Sequence, residues 1–233
     1  MSRESVRQHS SSGPFRTATG AIGLWALSCA MSAFLQAQPT LRITSPSSGT
    51  VVTPGQSLRV TVEASPAGAF KAVIVDATWQ GAVGTLLSPP PYGLSIEFTI
   101  KVPENVGARK YALTAMGFVT PGQPIYSNAI GLVLEPSDAP TTLRVQPSVL
   151  SLSPGGTGHL LVFGEFAGGQ LLDLTRSTRI MYTMDNPGIL EVGDQGIVTA
   201  LAPGSTKLTI TYGQAKAEIP VTVLGPRPPV GKR

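Results

Sequence analysis

Beyond residue 37 the chain offers chemistry a single histidine, His159, no cysteine, and 12 acidic side chains. Nucleophilic catalysis needs a base within reach of its nucleophile. His159 stands alone in Gly158-His159-Leu160-Leu161-Val162, a run that reads as a strand face, and no Gly-x-Ser-x-Gly elbow occurs. Without a cysteine there is no thiol nucleophile. A glycosidase needs two carboxylates facing each other across a cleft. Glu97 instead alternates with Ile96 and Phe98, so it faces away from them. Asp185 and Asp194 fall in turn motifs, where such side chains cap backbone amides. Zinc is poorly served by one histidine. Calcium needs several oxygens from one loop, and Asp185, Asn186, Glu191 and Asp194 match no such spacing; two Asx-type turns joined by a strand is the simpler reading. The expectation is a non-enzyme with no metal and no cofactor.

Aromatic side chains are the remaining candidates, because a flat ring can stack on a sugar. Trp79 is the only tryptophan beyond the leader, and Tyr92 follows the stiff Pro89-Pro90-Pro91 run. Trp79 and Tyr92 form a candidate carbohydrate-stacking pair if the indole is exposed at the end of Thr78-Trp79-Gln80-Gly81. The competing reading makes Trp79 the core tryptophan of a β-sandwich.

The N-terminus carries an address. Arg3, Arg7 and Arg16 precede an uncharged stretch, Ala18 to Leu35, that holds Ile22, Leu24, Trp25, Leu27, Met31 and Phe34; the small residue Ala37 follows. That order is the plan of a secretory signal peptide over residues 1–37, cleaved after Ala37. Gly20, Gly23, Ser28 and Ser32 make the stretch a poor permanent span. A retained signal anchor is one alternative. Lipidation is another: Ala26-Leu27-Ser28-Cys29 resembles a lipobox with Cys29 as the acylated residue, although the apolar run continues past it to Leu35.

Charge and composition follow from that leader. The 233 residues hold 17 basic and 13 acidic side chains, a formal +4. Removing the leader's three arginines and one glutamate leaves 14 and 12; setting aside Arg227, Lys232 and Arg233 of the tail leaves 11 basic groups and a net −1. A duplex-binding surface needs clustered Lys and Arg to replace counterions, and no run of them occurs, so nucleic acid is not an expected partner. Charged residues make up 13%, against roughly 25% in ordinary soluble domains. An apolar fraction of 42% argues against disorder, and 26 Gly with 21 Pro argue against a helix bundle.

Period-two alternation marks the elements that must position any site. Leu58, Val60 and Val62 alternate with Arg59, Thr61 and Glu63; Ile96, Phe98, Ile100 and Val102 with Glu97, Thr99 and Lys101. Tyr111, Leu113 and Ala115, then Leu208, Ile210 and Tyr212, then Ile219, Val221 and Val223 repeat the pattern. Pro220, which has no amide to give a ladder, is expected at an edge or bulge. Turn signals such as Pro54-Gly55, Pro154-Gly155-Gly156, Asn186-Pro187-Gly188 and Pro203-Gly204 punctuate the runs. Short strands so spaced predict an all-β fold of two tandem immunoglobulin-like sandwiches, over 40–136 and 141–225. The break is the polar, two-proline Glu135-Pro136-Ser137-Asp138-Ala139-Pro140, a semi-rigid connection that sets the domains end to end. Residues 226–233 form a Pro-rich basic tail.

The second segment resembles a bacterial immunoglobulin-like domain of group 2. The resemblance is carried by Leu143-Arg144-Val145-Gln146-Pro147, Leu152-Ser153-Pro154-Gly155-Gly156, Leu172-Asp173-Leu174-Thr175, Tyr182-Thr183-Met184-Asp185-Asn186-Pro187, Gly196-Ile197-Val198-Thr199-Ala200-Leu201 and Pro203-Gly204-Ser205-Thr206-Lys207-Leu208-Thr209-Ile210. Two positions depart from the pattern: Tyr182 stands where the family often has Trp, and Gly188 follows Pro187. The first segment is similar, more loosely, to other bacterial immunoglobulin-like domains through Ile43-Thr44-Ser45-Pro46 and Tyr111-Ala112-Leu113-Thr114-Ala115. The resemblance implies an extracellular setting and a structural, adhesive or display role at the cell surface. The implied partner is an extracellular protein or glycan. Membrane contact comes only through an uncleaved or lipidated N-terminus.

Overall fold

The computed structural model describes residues 38–87, 95–119 and 123–225. The leader with Cys29, the loop with Tyr92 and the basic tail lie outside the described residues. What is described is all-β, in two sets of strands within one compact unit, Ala37–Arg233.

The first set is β1 (Thr40–Ser45), β2 (Val51–Val52), β3 (Ser57–Ser65), β4 (Ala72–Ala77), β5 (Gly81–Leu87), β6 (Ser95–Lys101), β7 (Arg109–Phe118), β8 (Ile125–Tyr126) and β9 (Ile130–Leu134). One sheet has β3 between β1 and β6; the other runs β2-β9-β7-β4-β5, with β8 also on β7. The short β2 lies parallel to β9, and the other pairs are antiparallel. This is the strand distribution of an immunoglobulin-type sandwich. The alternation read from sequence is the cause: Val60, Val62, Ile96 and Ile100 from one sheet meet Val73, Val75, Leu113 and Leu132 from the other. Each such side chain contributes about 1.5–3 kcal/mol relative to exposure. With no cysteine among the described residues, that burial holds the sandwich together.

The second set is β10 (Thr142–Gln146), β11 (Leu150–Leu152), β12 (Thr157–His159), β13 (Leu161–Glu165), β14 (Leu171–Asp173), β15 (Met181–Met184), β16 (Leu190–Val192), β17 (Ile197–Ala200), β18 (Gly204–Tyr212) and β19 (Ala215–Val223). They form sheets β10-β13-β14, β11-β19-β18-β15 and β12-β17-β16 around Val162, Leu174, Leu208, Ile210, Tyr212 and Val221. Pro220 sits not on an edge strand but in β19, between β11 and β18. The ladder tolerates it because pairing with β11 begins only one residue later, at Val221.

The connection at 135–140, polar in sequence, is buried at both ends. Glu135 is 4% exposed, and Pro136 and Pro140 are buried as well.

Candidate functional site

A buried carboxylate is tolerated only when donors replace the water it loses. Glu135, one residue past β9, finds all its donors in the second sandwich. Ser177 Oγ donates to Oε2 at 2.6 Å. Thr178 donates to Oε1 twice, from its amide at 2.7 Å and its hydroxyl at 2.9 Å. The Tyr212 hydroxyl adds a longer bond of 3.4 Å to Oε2. Arg179 crosses the same seam: Nη1 donates to the Pro136 carbonyl at 3.1 Å, and its guanidinium lies 4.6 Å from the centre of the Tyr212 ring. The Tyr212 hydroxyl is pushed up to about 12, first by burial and then by the Glu135 charge, with Arg179 opposing.

A second anchor begins at Tyr111, near the start of β7. Its hydroxyl donates to the Gly107 carbonyl at 3.0 Å, four residues upstream. This is the tyrosine corner of immunoglobulin-type sandwiches, which fixes the loop entering that strand. The fixed loop then reaches across. The Ala108 amide donates to the Asp173 carbonyl at 2.8 Å, and Ala108 packs with the core of the second sandwich. Gly107 is needed here, because a Cβ would lie 2.9 Å from the Asp173 oxygen. Gln170 Nε2 donates to the Glu104 carbonyl beside it.

Alongside these anchors runs a cleft with two lobes of about 520 and 510 Å³ that share Arg109, Arg176 and Gln195. Each wall is set by local structure. Trp79 stands in the β4–β5 turn, which Thr78 ties to β7: its amide donates to the Ala112 carbonyl at 3.0 Å, and its Oγ1 accepts from the Ala112 amide at 3.0 Å. This brings the indole edge to face with Tyr111, centroids 5.5 Å apart at 74°. Arg109 lies over the Tyr111 ring at 4.7 Å. Burial raises the Tyr111 hydroxyl, and the Arg109 charge offsets part of that. On the far wall, Asp173 Oδ1 accepts from the Thr175 amide at 2.9 Å, and Thr175 Oγ1 accepts from the Val162 amide at 2.9 Å. These bonds hold the turn that carries Arg176. Asp194 and Gln195 project from the β16–β17 turn, closed by Gly196 at φ +72°, where a Cβ would meet the Leu160 carbonyl at 2.5 Å.

Two buried polar atoms have no hydrogen-bond partner among the described residues, Trp79 Nε1 and Tyr182 Oη, and both residues line this cleft. The Tyr182 hydroxyl is pushed up to about 12, mainly by burial and then by the Asp173 charge.

No family model and no curated protein matches the chain. Solved structures similar to it include the fibronectin(III)-like modules of Clostridium thermocellum CbhA (16% identity, 41% of this chain and 94% of that one, TM-score 0.32). Domains 4 and 5 of the S-layer protein SbsC are similar at 16% identity, over 55% of this chain and 69% of that one, TM-score 0.32. Extracellular cadherin domains 1–4 of protocadherin gamma B7 are similar at 11% identity, over 80% and 51%, TM-score 0.32.

The sequence candidates scatter. Trp79 is half-buried, packed against the first core and lining the cleft. Tyr92 and Cys29 lie outside the described residues. His159 is exposed at the end of β12 and also borders the cleft. At the turn where Asp185 was expected to cap, Asn186 does so instead: its Oδ1 accepts from the Gly188 amide at 3.2 Å. Among the described residues no three of His, Cys, Asp and Glu gather as a metal would require. The cations are what sequence reading missed. Arg109 and Lys110 open β7 and Arg176 follows β14, so no run of charge announces them; the fold brings them to one cleft. Glu135 was missed as well: an acid between a strand and a proline reads as a linker residue until its distant donors are known.

Proposed function

We propose that this chain is an exported, non-enzymatic immunoglobulin-like module protein with a structural, adhesive or display role at the bacterial cell surface. Its second sandwich is of the bacterial group 2 kind. The observation that carries this reading is the Glu135 seam. A carboxylate buried at the end of one sandwich and hydrogen-bonded wholly by the other makes a stiff pair. A stiff pair suits a spacer, because whatever its two ends carry stays at a fixed separation and angle. Flexibly linked sandwiches would wander instead. The leader supports export, and the motifs from Leu143 to Ile210 support the group 2 assignment. The partner is an extracellular protein or glycan. Exposed strand edges such as β15 could accept an added strand.

The test is compartment. The full chain with a C-terminal epitope is expressed in a bacterial host, and protease is added to intact cells. Epitope released to the medium or digested on intact cells is the expected result; epitope protected with a cytoplasmic marker contradicts it. Glycan binding is a second reading, favoured by the cleft between the two anchors.

A further inference from the structure

We infer that the junctional cleft is a binding site for an acidic saccharide, with Arg109, Lys110 and Arg176 taking the carboxylate and Asp194 and Gln195 taking hydroxyls. The inference goes beyond a structural role and does not depend on where the protein resides.

The chemistry of the lining points to this class. Arg109, Lys110 and Arg176 converge from both sandwiches on a cavity of about 520 Å³, within the range of small-ligand sites. None of the three makes an ion pair among the described residues, although five ion pairs form elsewhere in them. Guanidinium groups match a carboxylate in two-pronged geometry. Cations alone would suit any anion, but this wall also carries acceptors. Asp194 and Gln195 sit beside the cations on a turn that Gly196 fixes. A carboxylate side chain repels a bare polyanion and accepts hydrogen bonds from sugar hydroxyls. One acid plus several hydroxyls on a single ring satisfies both halves of the lining. Tyr182, which lines the same cavity with its hydroxyl unpartnered among the described residues, adds a ring to the floor.

The site exists only while the sandwiches are docked, since Arg109 and Lys110 come from β7 and the remaining groups from the second sandwich. Glu135, which touches no ligand, is therefore a positioning residue for binding.

Titration calorimetry on the full chain tests this with three probes of three units each: trigalacturonate, maltotriose and tripolyphosphate. Trigalacturonate is expected to bind, and maltotriose and tripolyphosphate each at least about tenfold more weakly. Arg176→Ala and Arg109→Ala should each cost about tenfold or more, the size of one lost hydrogen bond to a charged group, whereas Arg42→Ala on β1 should cost nothing. The deciding variant is Asp194→Ala. A purely electrostatic surface would bind trigalacturonate more tightly once that negative charge is gone; the proposal requires weaker binding. Circular dichroism confirms that each variant is folded, and the wild-type comparison of the three probes needs no variant. No trigalacturonate binding, equal or tighter binding of tripolyphosphate, equal loss in Arg42→Ala, or tighter binding by Asp194→Ala would each overturn the inference.

Discussion

The two sandwiches meet along a seam and a cleft that treat buried polar groups in opposite ways. At the seam, Glu135 is buried and receives hydrogen bonds from Ser177, Thr178 and Tyr212. In the cleft, Trp79 Nε1 and Tyr182 Oη are covered and have no partner among the described residues, and Arg109, Lys110 and Arg176 form no ion pair among those residues. A satisfied network stiffens and specifies; an unsatisfied polar atom costs stability. The junction therefore combines two jobs. Rigidity resides in the seam, and the groups suited to recognition line the cleft that the seam holds in shape.

Glu135 is the most sensitive position of the seam. Glu135→Ala strands the Ser177 and Thr178 donors at a buried site, so a loss of about 3 kcal/mol is expected in denaturant unfolding. The transition should also separate into two, one per sandwich. Next in size is Gly107→Ala. The added methyl must push apart the loop and the Asp173 backbone, costing about 2 kcal/mol and loosening the cleft. Tyr111→Phe removes one hydrogen bond of the corner and should cost about 1 kcal/mol, felt by the first sandwich and by the Ala108–Asp173 contact.

Tyr182→Phe goes the other way. It deletes a buried hydroxyl with no partner, so stability should be unchanged or rise by up to about 1 kcal/mol. It also sharpens a pH effect. Tyr182 and Tyr212 have folded values of about 12 against an ordinary 10.0. The fold thus retains protons that the unfolded chain releases. Their contribution is complete below pH 10 and is lost as pH rises towards 12. Melting temperature should fall across that window, and Tyr182→Phe should fall less steeply.

How much of this was legible follows from which forces act locally. The strands were, because alternation records a one-sided burial that each segment carries within itself: Leu58, Val60 and Val62 are buried as their spacing implies. Pro220 was expected to face an edge, and it does so within an inner strand, because β11 pairs with β19 only from Val221 on, a non-local fact. The seam was hidden because Glu135 reads as a linker residue until the donors at 177 and 178 come alongside it. The cleft was hidden for the same reason, since Arg109 and Arg176 belong to different sandwiches. Tyr111, read from sequence only as a strand residue, holds the corner and packs against Trp79.

The most direct measurement is a set of backbone residual dipolar couplings for both sandwiches in one alignment medium. A seam that fuses the pair requires one alignment tensor to fit residues 40–134 and 142–223 together, with two tensors needed in Glu135→Ala. Two tensors of different magnitude in the unaltered chain would mean that the sandwiches move independently, and the seam would then fix neither their angle nor the cleft.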